Sequence, residues 1–348
     1  MKKWINVNNY EDLPINSSLK VISLFSGCGG KDLGMIGGFS FLGKYYGKNN
    51  IEVVFANDIV QHACDSYNQN LGHSIKCCDI REINEKNLPY ADIVIGGFPC
   101  QDFSVAGNRK GFENTERGTL YLEMKRVISA VKPKVFVAEN VEGLTNLNGT
   151  STLDKIIDDF KSEGYNVEYH LFNAADYGVP QIRKRVIIIG IRRDLKESAM
   201  IPYPLPVCSK EEGTWITSEM AIDDLWELMD TGIVPNQTTK DYSKAKFMEH
   251  GRGQGNCRIK SYLPSPTIRS EHHGNIEGHY RCVGGIETED RTKWRRLSIR
   301  ECARLQSFPD SYVWKCSASS AYKEIGNAVP PVFAWYIFRA LRMYFDSL

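Results

Sequence analysis

Seven short apolar runs recur in the first 193 residues, and stretches with helical spacing separate several of them. The runs are Lys20–Phe25, Ile51–Ala56, Ser74–Cys78, Ala91–Ile95, Lys134–Ala138, Val167–Phe172 and Val186–Ile191. Each has strand length, and most are bounded by Gly, Pro, Asn or Asp, as buried strands are. Leu120, Met124, Val127, Ile128 and Val131 fall at helical spacing within 118–131. Leu153, Ile156, Ile157 and Phe160 do the same within 151–164, where a Ser/Thr start and Gly164 mark the ends. Strands alternating with helices predict an α/β domain. The alternation stops near residue 195. From there to about 290 the chain is rich in Gly, Pro, Thr and Asn, which reads as a small irregular second domain. Regular structure then returns. Ser298-Ile299-Arg300-Glu301 is a capping box, and Pro330-Pro331 opens an apolar helix reaching Phe345.

Bulk properties narrow the function classes. With 348 residues, 42% of them apolar, the chain can bury one large core and a smaller one. A net charge of +1 means that any nucleic-acid surface must come from local clustering. Ten cysteines without CxxC spacing argue against a disulfide scaffold and a zinc site. His272-His273 has no partner at ligand spacing, so no metal is expected. Met1–Asp12 lacks the apolar centre of a signal peptide, and no stretch reaches membrane-spanning length. A soluble, intracellular protein with reduced thiols is expected.

Chemistry-bearing residues concentrate at the strand exits. The fourth run ends in Gly96-Gly97-Phe98-Pro99-Cys100-Gln101. Its glycines allow close approach of backbone or ligand. Cys100 alone would read equally as a small buried hydrophobe. Residues 101–117 form a polar loop containing Arg109, expected to close over a ligand with Gly107, Gly111 and Gly118 as hinges. The first run enters the glycine-rich turn Ser26–Gly34. The dinucleotide fingerprint fails at Asp32, so a phosphate-free adenosine ligand suits the turn. Asp58 and Asp79 end the second and third strands, where an acid binds a ribose or caps a helix. Glu139 ends the fifth as an acid, a hydrogen-bond partner or a cap. Gln181, Arg183 and Arg185 share one face of extended chain, which points to anion or base contacts or to a solvated edge. The densest basic patch holds Arg291, Lys293, Arg295, Arg296, Arg300 and Arg304, opposed only by Glu301. It reads as a phosphate-contacting surface, joined by Arg192-Arg193, or as a solvated helix face.

Five stretches, in order, resemble the motifs of the cytosine-C5 DNA methyltransferases. They are Phe25-Ser26-Gly27-Cys28-Gly29-Gly30, Gly97-Phe98-Pro99-Cys100-Gln101, Glu139-Asn140-Val141, Gln181-Ile182-Arg183-Lys184-Arg185 and Gly326-Asn327-Ala328-Val329-Pro330. The compact layout looks like a bacterial modification enzyme. The resemblance implies a Rossmann-like S-adenosylmethionine-dependent methyltransferase fold, with a seven-stranded, mostly parallel sheet. It divides the chain into a discontinuous catalytic domain, 1–193 plus 295–348, and a target-recognition domain, 194–294. It implies methyl transfer from S-adenosyl-L-methionine to C5 of a flipped cytosine in a short double-stranded DNA sequence, leaving S-adenosyl-L-homocysteine. Cys100 would be the nucleophile, Glu139 the base-pairing acid, and Arg183 and Arg185 supporting cations. Phe25, Gly27, Cys28, Gly29, Asp58, Asp79, Ile80, Pro99, Leu120, Asn327 and Val329 would line the cofactor. Gln101, Ser104, Arg109, Arg252, Gln254, Arg258, Arg269, His272, Arg295 and Arg296 are the DNA-contacting candidates. A monomer in the bacterial cytoplasm, at the nucleoid, with a separately acting restriction endonuclease, completes the expectation. A tRNA cytosine-C5 methyltransferase is the alternative.

Overall fold

The computed structural model describes residues 1–7, 18–99, 120–147, 151–241, 256–270, 278–282 and 287–348. In chain order its strands are β1 (Lys2–Ile5), β2 (Leu19–Leu24), β3 (Phe39–Phe41), β4 (Lys44–Tyr46), β5 (Ile51–Asp58), β6 (Lys76–Cys77) and β7 (Ile93–Gly96). They continue with β8 (Val135–Val141), β9 (Tyr165–Asn173), β10 (Lys184–Arg192), β11 (Ile201–Pro204), β12 (Asn256–Arg258), β13 (Gly278–Cys282) and β14 (Trp294–Arg296). The α-helices are α1 (Gly30–Ile36), α2 (Gln61–Asn70), α3 (Leu120–Val131), α4 (Ser151–Ser162), α5 (Ser218–Ile222), α6 (Ile299–Leu305), α7 (Ala318–Asn327) and α8 (Pro331–Asp346).

All seven expected strands lie in one sheet, in the order β6-β5-β2-β7-β8-β10-β9. Five of its strands run parallel from β6 to β8, and β10 is antiparallel to both neighbours. The reason is local. Only 174–183 separate β9 from β10, too little chain for a helical crossover, so β10 returns beside β9 in the opposite direction. Side chains alternate between faces along each strand. Val21, Ile93, Ile95, Val135, Val137, Ile187 and Ile189 pack one face beneath α8. Ile22, Leu24, Val94, Phe136, Ala138, Val186 and Ile188 pack the other beneath α3 and α4. The C-terminal helix α8 lies against α1 so closely that a Cβ on Gly34 would fall 2.1 Å from the Pro331 carbonyl oxygen. Two pairings have no sequence signal: β1 runs parallel to β11, and β3 pairs with β4 as a hairpin.

A third apolar cluster joins Ala221, Ile222, Leu225, Val234, Ile259 and Ile268 to Leu297, Ile299, Leu305, Phe308 and Tyr322. Beside it β12, β13 and β14 form a small sheet. The expected capping box is present: Ser298 accepts from the Glu301 amide, and Glu301 accepts from the Ser298 amide at 2.7 Å.

Four arginines of the basic patch, Arg295, Arg296, Arg300 and Arg304, are engaged within the fold, and their assignment to a phosphate surface is corrected; Arg291 and Lys293 are exposed. Arg300 is wholly buried and donates to the carbonyls of Pro235, Pro309 and Tyr312. Arg304 pairs with Asp224 at 2.5 Å and Asp310 at 2.7 Å. Arg295 pairs with Glu301 at 2.6 Å and lies over the Trp226 ring, and Arg296 is buried over Tyr280. These arginines answer carboxylates, carbonyls and rings, some within ten residues and others, such as Asp224, Trp226 and Pro235, distant in sequence. Arg192-Arg193 is corrected as well. Because β10 is antiparallel, Arg192 ends it at the sheet edge opposite Arg185, roughly 23 Å away at strand rise. There Arg192 pairs with Asp194 at 2.7 Å, and Arg193 donates to the Lys161 carbonyl. No helix among the described residues is long and apolar enough to cross a membrane.

Gly190 faces Phe136 across β10 and β8, and a Cβ there would lie 1.9 Å from the ring. Gly190→Ala should therefore destabilise the fold by about 1–3 kcal/mol in urea melts, and Phe136→Leu in the same chain should recover part of that loss.

Candidate active site

The strand order reverses between β2 and β7. In open α/β sheets such a reversal leaves a crevice at the carboxyl ends of the strands. Leu24, Gly96 and Ala138 lie side by side there, and Glu139 follows in β8. Gly96 has no room for a side chain, since a Cβ would fall 2.9 Å from the Met124 sulfur. A Cβ on Gly97 would fall 3.1 Å from Glu139 Oε2, so this bare backbone lies directly against the carboxylate. Phe25 leaves β2 with a left-handed φ of 52°, unusual for a residue with a side chain and characteristic of functional turns.

Register brings the next group in. Ile187 pairs with Glu139 and Arg185 with Val141, so the start of β10 lies at the exit of β8. Arg185 Nε donates to Glu139 Oε1 at 2.9 Å, and the side chains are 11% and 15% exposed. Burial lowers the Arg185 pKa, opposed by the Glu139 carboxylate. Asn140, whose role the motif leaves open, donates its amide to the Phe98 carbonyl at 2.9 Å and so fixes the backbone leading to Pro99. Cys100, Gln101, Ser104, Arg109 and the rest of the 101–117 loop lie outside the described residues, as do Arg252, Gln254 and His272.

The carboxyl ends of β2 and β5 form the second part of the crevice. Asp58 accepts from the Gly27 amide at 2.7 Å and the Val60 amide at 2.9 Å, which holds its carboxylate at the turn. A Cβ on Gly27 would meet nothing within 4 Å, so open space lies over this turn. Beside Asp58, Ile59 is 62% and Val60 40% exposed. Sequence reading missed this apolar ledge, although two apolar residues directly after a strand-end acid were its signal. Cys28 is buried; its thiol faces the Glu324 carbonyl at 3.7 Å, and burial raises its pKa far above an ordinary thiol. Only its backbone is left for a ligand. Gly29 answers packing, since a Cβ would strike Leu71 and Tyr67. The Asp79 carboxylate is held by Arg81 at 2.6 Å and caps the turn that buries Ile80. Pro99, Leu120 and Val329 are half-buried, and Asn327 is exposed. Lys31, also missed, is a buried ammonium that donates to the Leu24 carbonyl at 2.8 Å. Burial lowers its pKa, and Asp32, Glu139 and Asp58 oppose the shift.

Three expected contact residues, Arg183, Gln181 and Arg258, are corrected. Arg183 is fully buried, and its guanidinium donates to the carbonyls of Ile268, Gly326 and Ala328 at 2.8–2.9 Å. It is a positioning residue and not a cation facing a substrate. Gln181 lies in the same interior network, donating to Gln306 and the Leu305 carbonyl. Arg258 pairs with Glu287 at 2.9 Å and Glu289 at 2.7 Å, so two carboxylates already answer its charge. Arg269 lies close enough to Arg185 to lower its pKa.

Comparison with known proteins agrees with this geometry. The model of the C-5 cytosine-specific DNA methylase family matches residues 19–342. Among curated relatives, the type II methyltransferase M.NgoFVII of Neisseria gonorrhoeae is 35% identical, over 95% of this chain and 87% of its own length. M.FnuDI of Fusobacterium nucleatum is 34% identical, over 93% and 94%. M.HhaI of Haemophilus parahaemolyticus is 33% identical, over 90% and 91%. Among solved structures, S. pombe Dnmt2 aligns with a TM-score of 0.65 at 20% identity, over 94% of this chain and 99% of that one, a likeness of fold alone. The chain belongs to the C-5 cytosine-specific DNA methylases and is a DNA cytosine-C5 methyltransferase of the kind found in bacterial restriction-modification systems.

The two motif arginines should separate experimentally. Arg183→Met strands three buried carbonyls and should lower unfolding free energy by about 3 kcal/mol. Arg185→Met should remove turnover at a smaller loss of stability. Urea melts beside methylation assays read both.

Proposed function

We propose that this chain binds S-adenosyl-L-methionine in the crevice between the β2, β5 and β7 exits, and methylates C5 of a cytosine rotated out of duplex DNA. The observation that carries the reading is the Arg185–Glu139 pair, held against the bare Gly97 backbone three residues before Cys100. The cofactor side fits an uncharged adenosine. Asp58 offers carboxylate oxygens to ribose hydroxyls, Ile59 and Val60 an apolar ledge for a purine, and Gly27 open space. Phe25, Pro99, Leu120, Asn327, Val329, Ile80 and the backbone of Cys28 and Gly29 complete the assignment, and Asp79 with its Arg81 partner borders it. When bound, this cofactor supplies an electrophilic methyl group on a positively charged sulfur.

The chain's own residues supply the rest. Cytosine C5 is too weak a nucleophile unaided. The Cys100 thiolate adds to C6, and the electron pair of the C5–C6 bond moves onto C5. Charge builds on the ring as this happens. Glu139, carrying or sharing a proton, donates to N3 and accepts from the exocyclic amine. Arg185, oriented by Glu139, faces O2. C5 takes the methyl group while the electron pair of the broken S–C bond stays on sulfur; a bound water acting as base takes the C5 proton, the C5–C6 double bond re-forms, and the thiolate leaves. A base inside a duplex cannot reach Cys100, so flipping at a cost of a few kcal/mol precedes chemistry.

We assign DNA reading to the 194–294 portion, with Arg252, Gln254, Arg269 and His272 as base-edge candidates, and Gln101, Ser104 and Arg109 beside the flipped base. The 1–193 plus 295–348 portion carries catalysis. A monomer suffices for this chemistry, since one flipped base needs one site. The cytoplasm is its proposed compartment, and a cognate endonuclease would act separately on the unmethylated target.

Transfer of labelled methyl groups to duplex DNA and to bulk tRNA tests the reading. Label should enter DNA and vanish with Cys100→Ser. Glu139→Gln should lower kcat by about 10²–10³, the usual loss of one preorganised hydrogen-bonding group. Label in tRNA alone, or undiminished transfer by Cys100→Ser, would overturn the proposal.

A further inference from the structure

A buried carboxylate outside the reacting groups ties the two walls of the proposed cofactor crevice together. One wall is the β5 exit, Asp58–Val60, which continues directly into α2. The other is Asn327–Val329, which continues from the end of α7. Glu324 lies one turn before Asn327, and its side chain is 1% exposed. His62, in the first turn of α2, approaches Glu324 with its Nδ1 2.6 Å from Oε1. The Cys316 thiol donates to the same oxygen at 3.4 Å, and the Cys28 thiol to the Glu324 backbone carbonyl at 3.7 Å. Burial pushes the Glu324 carboxyl up, and hydrogen bonds from Ser66, His62 and Cys316 oppose the shift.

The helix carrying His62 is fastened separately at its far end. There the Asn70 side chain donates to the Val313 carbonyl at 2.9 Å and accepts from the Val313 amide at 2.8 Å. Tyr67, one turn earlier, donates to Asp32 at 2.6 Å. At the crevice end α2 meets α7 at the Glu324 carboxyl, which takes hydrogen bonds from His62 in the first turn and from Ser66 one turn further along. The His62 side chain is 36% exposed, while its partner is sealed from water.

We propose that His62 and Glu324 form a clamp that sets the spacing between the ribose-binding wall and the C-terminal wall of the cofactor crevice. Both are positioning residues: neither touches the reacting atoms, and the pair acts on Asp58, Ile59 and Asn327 through α2 and α7. The inference rests on the S-adenosylmethionine reading above. It assigns this pair to cofactor affinity and not to the methyl-transfer step.

The experiment is calorimetric binding of S-adenosyl-L-homocysteine to the full chain, beside steady-state kinetics with duplex DNA. Wild type, His62→Ala, His62→Gln, Glu324→Gln and the double variant His62→Ala/Glu324→Gln are compared. His62→Ala should weaken binding by about tenfold, a modest charge-assisted hydrogen bond, and raise the cofactor KM in step. Its kcat at saturating cofactor should stay within about twofold of wild type, while His62→Gln, which keeps a donor, recovers part of the affinity. The double variant should lose no more than the worse single one, as for groups acting as a pair. Unchanged affinity in His62→Ala, a fall in kcat at constant KM, or fully additive losses would overturn the clamp. Because His62 is solvent-accessible, its variants decide the matter even where Glu324→Gln does not fold. Failure of the wild type to bind S-adenosyl-L-homocysteine would instead overturn the cofactor reading on which the clamp rests.

Discussion

The fully buried guanidinium of Arg183 is the joint on which the other parts depend. Its donors reach the carbonyls of Ile268, Gly326 and Ala328, which lie 85 to 145 residues away in sequence. Gln181 adds contacts to Leu305, Gln306 and the Ile268 amide. A planar, multiply donating cation suits this place, because one rigid fork satisfies several carbonyls that water cannot reach. A lysine would offer a point charge without that geometry. The joint also explains Gly326. The backbone at Arg269–Ser270 passes so close that a Cβ would fall 2.2 Å from it. The Ile268–Ser270 segment, the entrance to β10 and the C-terminal return are therefore built around one polar interior.

The same strand that starts at this joint aims the Arg185–Glu139 pair. The return of β10 against the direction of β8 places Arg185 at the sheet edge where Glu139 emerges. A parallel strand would have carried Arg185 to the far edge, where Arg192 lies. Strand direction, set by a short β9–β10 connection, thus decides which of two arginine groups belongs to the site.

How much of this was legible follows from where each signal resides. The seven strands could be read because buried strands are apolar in themselves, and the capping box because its partners are three residues apart. Glu139 and Arg185 were recognisable as motif residues, but their pairing required the sheet order. The basic cluster misled because burial, and partners such as Asp224 and Trp226, are set by the fold and not by the neighbouring sequence. Arg304 answers Asp224, and Arg295 and Arg281 share the buried Glu301. The rule that Gln181, Arg183 and Arg185 share a face could not say which residues are sealed inside and which meet the site. His62 and Glu324 carried no local signal, since they meet across 262 positions of sequence.

The most direct test of the account is a map of 5-methylcytosine in DNA from a methylation-free host expressing this chain, beside the same host expressing Cys100→Ser. The account predicts methylation confined to one short sequence and its complete absence in the variant. Soluble wild-type protein that leaves the DNA without 5-methylcytosine, or a methylation pattern that survives Cys100→Ser, would contradict it.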